Sequence, residues 1–445
     1  MSRPAVARPI DGEDFAGLMR PLGPFEPAPH MAVAVSGGAD SLALALLLAD
    51  WSAARGGAMT ALIVDHGLRP ESRREARWTA TALKARGLTT RILTWRGAQP
   101  QANVQATARA ARYGLLGDWC RRHGVLHLAV AHHLDDQAET LLLRLGRGSG
   151  LDGLAAMAPV SVQPHYNLLR PLLSVPKACL IATLQARGQD WIEDPSNQDR
   201  QHARVRLRQL APGLAAEGLT PERLAATAGR LGQARGALEQ TLAALLARAV
   251  TLDPAGFAWL DHRMLRDNSK ELALRALSRI LSCLGGAAYG PRLSRLEGLY
   301  GRLMEPNFGG ATLGGCRVTP RGDRILVTRE AAKLPRWDVR PGETLLWDGR
   351  FEIALAKTSR RRPPAMALGG LGAVGWRRLR ASGQAPEKTR IPAPARAALP
   401  CLWVAGEPCE VPHLGITAPS GGPVALEKCA FRPKNGLIGT WFTVA

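Results

Sequence analysis

Several features that would mark whole classes of protein are missing from the sequence. No run of about 18 apolar residues is free of charges or helix breakers, which argues against a membrane-spanning helix. The seven cysteines are scattered, without a Cys-x-x-Cys pair, so neither a disulfide framework nor a zinc site is expected. The N-terminal segment carries Asp11, Glu13 and Asp14 and lacks the apolar stretch of a secretory signal. These absences predict a cytoplasmic protein without a membrane anchor.

Acidic residues are scarce relative to basic ones. The 445 residues include 58 Lys and Arg but only 37 Asp and Glu, a net charge of +21. Arginine dominates, and its guanidinium suits bidentate contacts with phosphate, so nucleic acid is the natural partner. Arginine-rich codon usage or a need for solubility would give the same composition, which by itself does not decide between them. Residues 331–445 carry 17 basic and 8 acidic residues, the denser part of this charge.

Apolar strands and helices alternate through the first half of the chain. Four strands are predicted, over residues 31–36, 59–67, 89–95 and 125–133. Strands separated by helices in this way form βαβ units in a parallel sheet, which binds ligands at the carboxyl ends of its strands. Ser36, Asp65 and His132 fall at those ends. The pattern predicts a Rossmann-like α/β domain.

The pattern changes after residue 150. Helices are predicted over 220–250 and 262–284, short strands over 307–330, and a basic linker over 359–375. The Pro- and Gly-rich tail from about residue 390 predicts a small domain with β structure. The predicted domains are therefore an α/β domain (1–215), a mainly helical region (216–335) and a basic C-terminal domain with β structure (336–445).

The most specific motif is the hexapeptide of residues 36–41, Ser-Gly-Gly-Ala-Asp-Ser, between the first strand and the next helix. Its glycines allow a tight turn, and the N–H groups of the loop and the first helical turn then converge on one anion. Asp40 would repel phosphate unless a cation lay between them, so it is a candidate Mg²⁺ ligand. A simple capped turn is the competing interpretation. The motif is not a Walker A loop, which requires a Gly-Lys-Ser/Thr ending.

This hexapeptide resembles the S-G-G-x-D-S signature of the PP-loop ATP pyrophosphatases. In that family the loop grips the β,γ-pyrophosphate of ATP, and AMP is transferred to a carbonyl or amide oxygen. The resemblance implies ATP and Mg²⁺ as cofactors and release of pyrophosphate. It also implies that the whole loop binds ATP through Ser36, Gly37, Gly38, Ala39, Asp40 and Ser41.

Two further stretches resemble the lysidine synthetase branch of that family. In residues 64–72, the backbone of Val64, Asp65 and His66 would cradle adenine. In residues 103–116, Arg109 and Arg112 are three apart and share a helix face, where they would hold the phosphates of ATP or the RNA. The competing interpretations are a capped strand-to-helix loop and a solvated basic helix face.

A third stretch, residues 131–154, is the longest match to that branch. Asp136 and Glu139 are three apart at a helix start, and His132 and His133 end the preceding strand facing them. One carboxylate can hold Mg²⁺ while another accepts a proton from an attacking amine. Asp136 is the first candidate base, Glu139 the second and Asp40 the metal ligand, although these roles can be exchanged. A capped helix start is the competing interpretation.

Basic residues near these motifs are candidates for RNA contacts. Arg204, Arg206 and Arg208 alternate in residues 194–208, a segment that resembles the one following the family's catalytic domain. Arg147 and the two histidines are further candidates for phosphate or substrate. The family has Asn between the first two arginines, but Val205 stands here, so the role of that Asn is not carried over. Residues 391–416 resemble the family's C-terminal RNA-binding module. The resemblance thus implies that 1–215 is a PP-loop catalytic domain, 216–335 a substrate- or tRNA-binding region and 336–445 a tRNA-binding domain.

The resemblance implies a specific reaction. L-Lysine is joined to C2 of the wobble cytidine of tRNA(Ile) with a CAU anticodon, through an adenylated cytidine. The tRNA then reads AUA and is charged with isoleucine. The alternatives are another PP-loop enzyme, such as a thiolase or a glutamine-fed amidotransferase, and a non-catalytic RNA-binding protein. Cys120 has no sequence partner for thiolation, and no glutaminase domain is recognisable. The lysine-binding residues and the oligomeric state, a homodimer included, stay open.

Overall fold

The structure is a computed structural model that describes residues 7–67, 71–97, 104–193, 203–287, 290–358, 364–418 and 425–438. It divides into two compact units between Ala237 and Leu238. The domain limits at residues 215 and 335 stay a prediction. Among the described helices, none is both long enough and apolar enough to cross a lipid bilayer.

The first unit combines a β-sheet with flanking helices. Its strands are β1 (His30–Val35), β2 (Ala58–Asp65), β3 (Thr89–Thr94), β4 (His127–Ala129), β5 (Val160–Val162) and β6 (Asn167–Leu169). Its helices are α1 (Gly12–Met19), α2 (Ala39–Ala53), α3 (Ser72–Ala85), α4 (Val104–His123), α5 (Leu134–Leu145), α6 (Leu151–Leu154), α7 (Lys177–Ala186) and α8 (Ala203–Ala216). A longer helix, α9 (Pro221–Ala249), spans the point of division.

The six strands form one sheet in the order β3-β2-β1-β4-β6-β5. All neighbouring strands are parallel except β5, which runs antiparallel to β6. The four predicted strands are confirmed as β1 to β4, and the Rossmann-like fold class is confirmed with them. The parallel order brings the carboxyl ends of β1, β2, β4 and β6 to one edge of the sheet, where the phosphate loop and the two histidines lie.

The core explains why the central elements carry so few polar residues. Strand β1 is buried along most of its length, and α2 buries residues on every side. A helix that is apolar all round must be covered all round. Here β1, α1 and α7 pack against α2, while Leu116, Trp119 and Cys120 of α4 belong to a second cluster that includes Ala32 of β1. The loop between β1 and α2 is thus held by two rigid, buried elements.

The second unit contains three antiparallel sheets. Its strands are β7 (Val250–Asp253), β8 (Phe257–Asp261), β9 (Ala311–Leu313), β10 (Cys316–Arg321), β11 (Arg324–Arg329), β12 (Trp337–Asp338), β13 (Thr344–Trp347), β14 (Phe351–Leu355), β15 (Met366–Gly370), β16 (Pro400–Val404), β17 (Glu407–Glu410) and β18 (Leu426–Phe431). Its helices are α10 (His262–Arg266), α11 (Lys270–Gly285), α12 (Leu293–Met304), α13 (Gly372–Ala381) and α14 (Ala393–Arg396). The sheet orders are β7-β8-β11-β10-β9, β12-β15-β16-β17 and β13-β14-β18.

The predicted helices and strands of this unit are confirmed, with two corrections. Residues 250–261 form the strands β7 and β8, which the sequence pattern did not indicate. The prediction of a linker over 359–375 is wrong for residues 366–375, which form β15 and the first part of α13; residues 359–363 lie outside the described residues. Strand β15 lies inside its sheet and is buried on both faces, so its residues do not alternate between apolar and polar.

A buried charged cluster lies at the centre of the second unit. Asp348 Oδ2 accepts from Arg350 Nε at 2.7 Å and from Arg329 Nε at 3.0 Å, and Oδ1 accepts from Arg329 Nη2 at 2.9 Å. Carbonyl oxygens of Gly315 and Gly256 accept from the same two arginines. Burial lowers the pKa of Arg350, and the Asp348 carboxylate opposes that shift. We refer to these three charged residues as the Asp348 cluster.

Candidate active site

The phosphate loop connects β1 to α2 at the carboxyl edge of the sheet. Ser41 Oγ donates to the Gly38 carbonyl at 2.9 Å and accepts from the Ser36 N–H at 3.1 Å, so its hydroxyl closes the loop. Gly38 is the N-cap of α2, and no side chain caps the helix. The first-turn N–H groups therefore keep their hydrogen-bonding capacity for a ligand, at the positive end of a 15-residue helix.

Gly37 is required by the close approach of its neighbours. Its φ of +92° lies in the left-handed region. A Cβ at this position would collide with Thr79 Oγ1 and lie 3.0 Å from Ile192 Cδ1. Ile192 also donates its N–H to the Gly37 carbonyl at 2.9 Å. The segment after α7 therefore covers the phosphate loop from one side.

A cavity of about 360 Å³ opens beside this loop. Besides loop residues, its walls include Val64 at the end of β2 and His66 after it, Arg112 and Tyr113 of α4, and His132 after β4. The loop, the β2 segment and one of the two predicted arginines thus come together as expected for a nucleotide site. Whether they bind ATP stays a prediction.

Asp65 and Arg109 were also predicted at the nucleotide site, but they are not among the residues that line this cavity. Asp65 is buried, and its Oδ1 accepts from Ser72 Oγ at 2.7 Å and from the Gly67 N–H at 3.1 Å. Its side chain therefore fixes the loop that carries His66. The Arg109 guanidinium carbon lies 5.1 Å from the centre of the Tyr113 ring, beside the wall of the cavity.

Acidic side chains surround His133 at the start of α5. His133 Nε2 lies 3.6 Å from Asp40 Oδ2 and 3.6 Å from Asp136 Oδ2, and Nδ1 lies 3.2 Å from Asp135 Oδ2. Asp136 Oδ2 also accepts from the His133 N–H at 3.2 Å. The fold thus joins α2 and α5 of the sheet domain through one imidazole, and it brings Asp40 and Asp136 together.

Burial and charge act in opposite directions on this group. Burial raises the pKa of Asp40, while His133 and Lys177 oppose that rise. Burial also acts on His133, but the carboxylates of Asp135, Asp136 and Asp40 outweigh it and raise the pKa of the imidazole. Burial lowers the pKa of His132 to about 4. The two adjacent histidines are therefore distinct at neutral pH, with a neutral His132 and a His133 that favours its proton.

The two candidate bases have different partners. Glu139 Oε1 accepts from Arg208 Nε at 2.5 Å, Oε2 accepts from Arg208 Nη2 at 3.3 Å, and Arg204 Nε lies 3.9 Å away. Asp136 has only Arg204 at 3.8 Å among the described arginine and lysine side chains. Arg204 and Arg208 are four apart on α8 and so face α5 together.

A second cavity, of about 290 Å³, lies between α5, α7, α8 and the start of α9. Its walls are mostly aliphatic, with Leu142, Leu207 and Leu214 among them. The polar groups at this cavity are those of His133, Asp135, Glu139, Lys177 and Arg208. A mostly apolar cavity lined by both acidic and basic groups fits a small zwitterion with an aliphatic stem.

Comparison with known proteins identifies the family. The profile of a PP-loop domain matches residues 13–214. A tRNA(Ile)-lysidine synthase of Ruegeria pomeroyi is 37% identical over 407 residues, which cover 92% of this chain and 94% of the relative. Another, from Methylobacterium nodulans, is 44% identical over 336 residues, 73% of this chain and 97% of the relative. The chain belongs to the tRNA(Ile)-lysidine synthase family.

Membership of the tRNA(Ile)-lysidine synthase family does not by itself assign the remaining basic residues. Arg147 is exposed beyond the end of α5. At 1.5 Å per helical residue, it lies roughly 16 Å from Asp136 along the axis of that helix. Arg206 is exposed on α8, whereas Val205 is buried between it and Arg204. Contact of Arg147, Arg204, Arg206 and Arg208 with RNA stays a prediction, and so do the substrate contacts of the two histidines.

Sequence reasoning missed several residues that reach this synthase site. Lys177 begins α7, donates its N–H to Asp135 Oδ2 at 3.1 Å and lines the second cavity. Ile192 covers the phosphate loop, and Arg170 follows β6 at the same edge of the sheet. Pro176 before Lys177 signalled a helix start. No local pattern indicated that the helix would begin beside α5.

The residues fit a magnesium ion bound together with a nucleotide. Asp40 Oδ1 is buried and has no hydrogen-bond partner among the described residues. Within the described chain, no group of three His, Cys, Asp or Glu side chains is arranged to hold a metal. Mg²⁺ commonly uses one or two carboxylates, with phosphates and water completing its octahedron. One available carboxylate next to a phosphate loop meets that requirement.

Proposed function

We propose that this protein is an ATP-dependent ligase that joins L-lysine to C2 of the wobble cytidine of tRNA(Ile) with a CAU anticodon. AMP and pyrophosphate are the other products, and the modified tRNA reads AUA and is charged with isoleucine. The observation that carries the proposal is the pair of adjoining cavities, one at the phosphate loop and one with acidic and aliphatic walls, with His133, Asp40 and Asp136 beside them. The family of the relatives supports it.

The first step activates the base. The C2 carbonyl oxygen of cytidine is a poor leaving group, so it attacks the α-phosphorus of ATP and pyrophosphate departs. The N–H groups at the start of α2 and the hydroxyl of Ser36 lie where charge grows on the departing pyrophosphate. Asp40 would hold Mg²⁺, which neutralises phosphate charge when bound. The products of this step are the adenylated cytidine and pyrophosphate.

The second step requires a lysine whose ε-amine is neutral. Free lysine has a pKa of about 10.4, so a carboxylate must attract the ammonium group and take its proton. The second cavity supports a lysine with its stem against Leu142, Leu207 and Leu214. The α-carboxylate would meet Lys177 and Arg208, while the side chain extends towards His133 and Asp136. Attack of the amine on C2 then releases AMP.

The partners of the two carboxylates favour Asp136 as the proton acceptor. Glu139 is bound in a fork by Arg208, so both of its carboxylate oxygens already accept hydrogen bonds from one guanidinium. Asp136 lacks such a fork and lies beside the imidazole of His133. Glu139 therefore positions Arg208 and the bound lysine. Asp136 is the group that takes the proton from the amine.

The RNA partner is supported by charge. The net charge of +21 and the basic residues of the C-terminal quarter favour binding of a phosphate backbone. An anticodon loop is single-stranded, so its wobble base can leave the stack at little cost. Action on tRNA fits the cytoplasm, as the lack of a disulfide pattern does. A homodimer stays a prediction.

Mass spectrometry of the RNA product tests the proposal. The protein is incubated with unmodified tRNA(Ile), ATP, Mg²⁺ and L-lysine, and cytidine should gain the mass of a condensed lysine only when all four are present. Release of AMP and pyrophosphate in equal amounts should accompany it. A sulfur-sized gain would favour a thiolase instead, and an unchanged RNA that still binds would favour a non-catalytic RNA-binding protein.

A further inference from the structure

A half-buried arginine outside the predicted set lies at the carboxyl edge of the sheet. Arg170 directly follows β6, and its backbone N–H donates to the Pro159 carbonyl at 2.8 Å. Its Nη1 donates to the Ala158 carbonyl at 2.6 Å and to Ser161 Oγ at 2.9 Å. These bonds hold the guanidinium in one orientation, unlike that of a solvated surface arginine.

Among the described residues, Arg170 has no carboxylate close enough to balance its charge. No described carboxylate lies within 4.0 Å of its guanidinium, whereas the buried Arg329 and Arg350 both contact Asp348. Arg170 Nε is buried without a hydrogen-bond partner, although the residue as a whole stays partly exposed. Desolvating an uncompensated cation costs free energy, and an anionic ligand reaching the exposed part would recover it.

The surroundings of Arg170 are positive and partly aromatic. The charges of Arg170, Arg109 and Arg204 add to the effect of burial in lowering the pKa of His132, and only Asp136 acts in the other direction. Arg170 lies near the segment that carries His132, because the Val130 N–H donates to the Leu169 carbonyl at 2.9 Å and sets the ends of β4 and β6 side by side. The Tyr113 ring lies beside Arg109 and near Arg170, with the Arg109 guanidinium carbon 5.1 Å from its centre. Cations next to a flat aromatic surface are what a single-stranded RNA requires.

The order of the strands separates Arg170 from the phosphate loop. The phosphate loop follows β1, and the adenine side of the first cavity follows β2. Arg170 follows β6, which lies on the opposite flank of β1 with β4 between them. Two strand spacings amount to roughly 10 Å. Arg170 is not among the residues that line the nucleotide cavity, so an anion bound by its guanidinium would lie apart from one bound by the phosphate loop.

We propose that Arg170, together with Arg109, binds a backbone phosphate of the RNA next to the reacting nucleotide. It is a positioning residue, which holds the strand so that the target base reaches His132 and the nucleotide cavity. The inference rests on the proposed function for the identity of the RNA. The ligand chemistry is a phosphodiester, and the α-phosphate of ATP is the other source that the experiment must distinguish.

A double-mutant cycle, which combines a substitution in the protein with a change in the RNA, tests this contact. Arg170→Gln is assayed with tRNA(Ile) carrying a single methylphosphonate at each anticodon-loop linkage in turn. One linkage should reduce the wild-type kcat/KM about tenfold, and the variant should show no further loss there, because both changes remove the same contact. On unmodified RNA, the variant should raise the KM for tRNA about tenfold and lower the salt slope of binding by about one. The KM for ATP should stay within about twofold of the wild type.

A matched control and a second variant keep the test decisive. Arg121→Gln removes an exposed arginine near the end of α4, paired with Asp118, and should change none of these constants. Since Arg170 also ties down residues 158–161, folding is checked by thermal melting. If Arg170→Gln does not fold, Arg170→Lys is used in the cycle instead, because a lysine ammonium cannot reproduce the planar fork of the guanidinium.

Two results would overturn the proposal. Equal, additive losses at every linkage would show that Arg170 contacts no particular phosphate. A raised KM for ATP with an unchanged KM for tRNA would assign the guanidinium to the nucleotide. The same cycle measured by filter binding without lysine reports the contact even if the wild-type chain forms no lysidine, so the two proposals fail separately.

Discussion

Two clusters of arginine and carboxylate illustrate how one pair of residue types serves two purposes. In the Asp348 cluster, the side chains of Arg350, Arg329 and Asp348 are 0%, 8% and 6% exposed. In the α5–α8 cluster, the carboxylates of Asp136 and Glu139 are 11% and 8% exposed, but Arg204 and Arg208 are 42% and 40% exposed. The first cluster is closed on itself, and the second is open on its cationic side.

This difference in exposure predicts whether each cluster contributes to stability or to activity. A closed cluster keeps its charges paired away from water, so removal of one partner leaves a buried charge and reduces stability. In an open cluster, water or a substrate can replace a missing partner, so the same change costs little stability. The open cluster should therefore matter for activity and the closed cluster for folding. The predictions below test this contrast.

The largest effect should come from Asp136→Asn. Loss of the proton acceptor should lower kcat by about 10³-fold, within the usual range for a general base, while thermal stability stays close to that of the wild type. Single-turnover lysidine formation and differential scanning calorimetry measure the two quantities. Glu139→Gln is the comparison variant, with a smaller fall in kcat and a larger rise in the KM for lysine. An Asp136→Asn enzyme with full activity would remove Asp136 from the mechanism.

Asp348→Asn should have the largest effect on stability. Its φ of +51° is tolerated by Asn, so the change removes the charge without new backbone strain. Two buried arginines then lack their carboxylate, and the free energy of unfolding should fall by about 3–5 kcal/mol. Urea denaturation followed by tryptophan fluorescence measures it. Asp323→Asn, at an exposed pair with Arg263, is the control and should change stability by less than about 1 kcal/mol. Equal effects of the two variants would contradict the contrast.

Arg208→Met should separate binding from folding at the open cluster. The aliphatic stem is retained, but the fork to Glu139 and the proposed contact with the lysine carboxylate are lost. The KM for lysine should rise about tenfold, with the KM for ATP unchanged and the free energy of unfolding lower by no more than about 1 kcal/mol. Arg206→Met, on the same helix but exposed, is the matched control for the lysine constant. A change in the ATP constant alone would place Arg208 in the nucleotide site.

The smallest effect concerns the pH dependence of stability at His413 of the second unit. Burial lowers the pKa of His413, although a hydrogen bond to the Pro254 carbonyl opposes this, so the unfolded chain binds the proton more tightly than the folded one. Stability from this group is complete above the unfolded pKa of about 6.5 and falls as the pH drops below it. Denaturation at pH 7.5 and 5.5 should show a loss that His413→Gln reduces. His165→Gln, at an exposed position, should leave the loss as in the wild type. An identical pH dependence in all three proteins would contradict the assignment.

The success of sequence reasoning followed the range of the interactions. The phosphate loop, β1 to β4 and the paired acidic residues of α5 were predictable, because each depends on spacing within a few residues. Strand β15 was not predictable, since its small buried residues have no alternation and its partners lie about 30 residues away at β12 and β16. Arg204 and Arg208 were predicted to face RNA, but their position against Glu139 depends on how α8 packs on α5.

Arg170 is another residue whose position the sequence could not predict. Nothing around it in the sequence resembles a site, and only the strand order β1-β4-β6 brings it next to His132. The sequence by itself determined the sheet, the anion-binding turn and the family of this protein, because backbone geometry and short motifs act locally. The tertiary structure alone decided which carboxylate is not held in an arginine fork, which arginines are exposed and which arginine lacks a carboxylate partner among the described residues. Burial and charge pairing depend on segments far apart in the chain, so they appear only when the chain is packed.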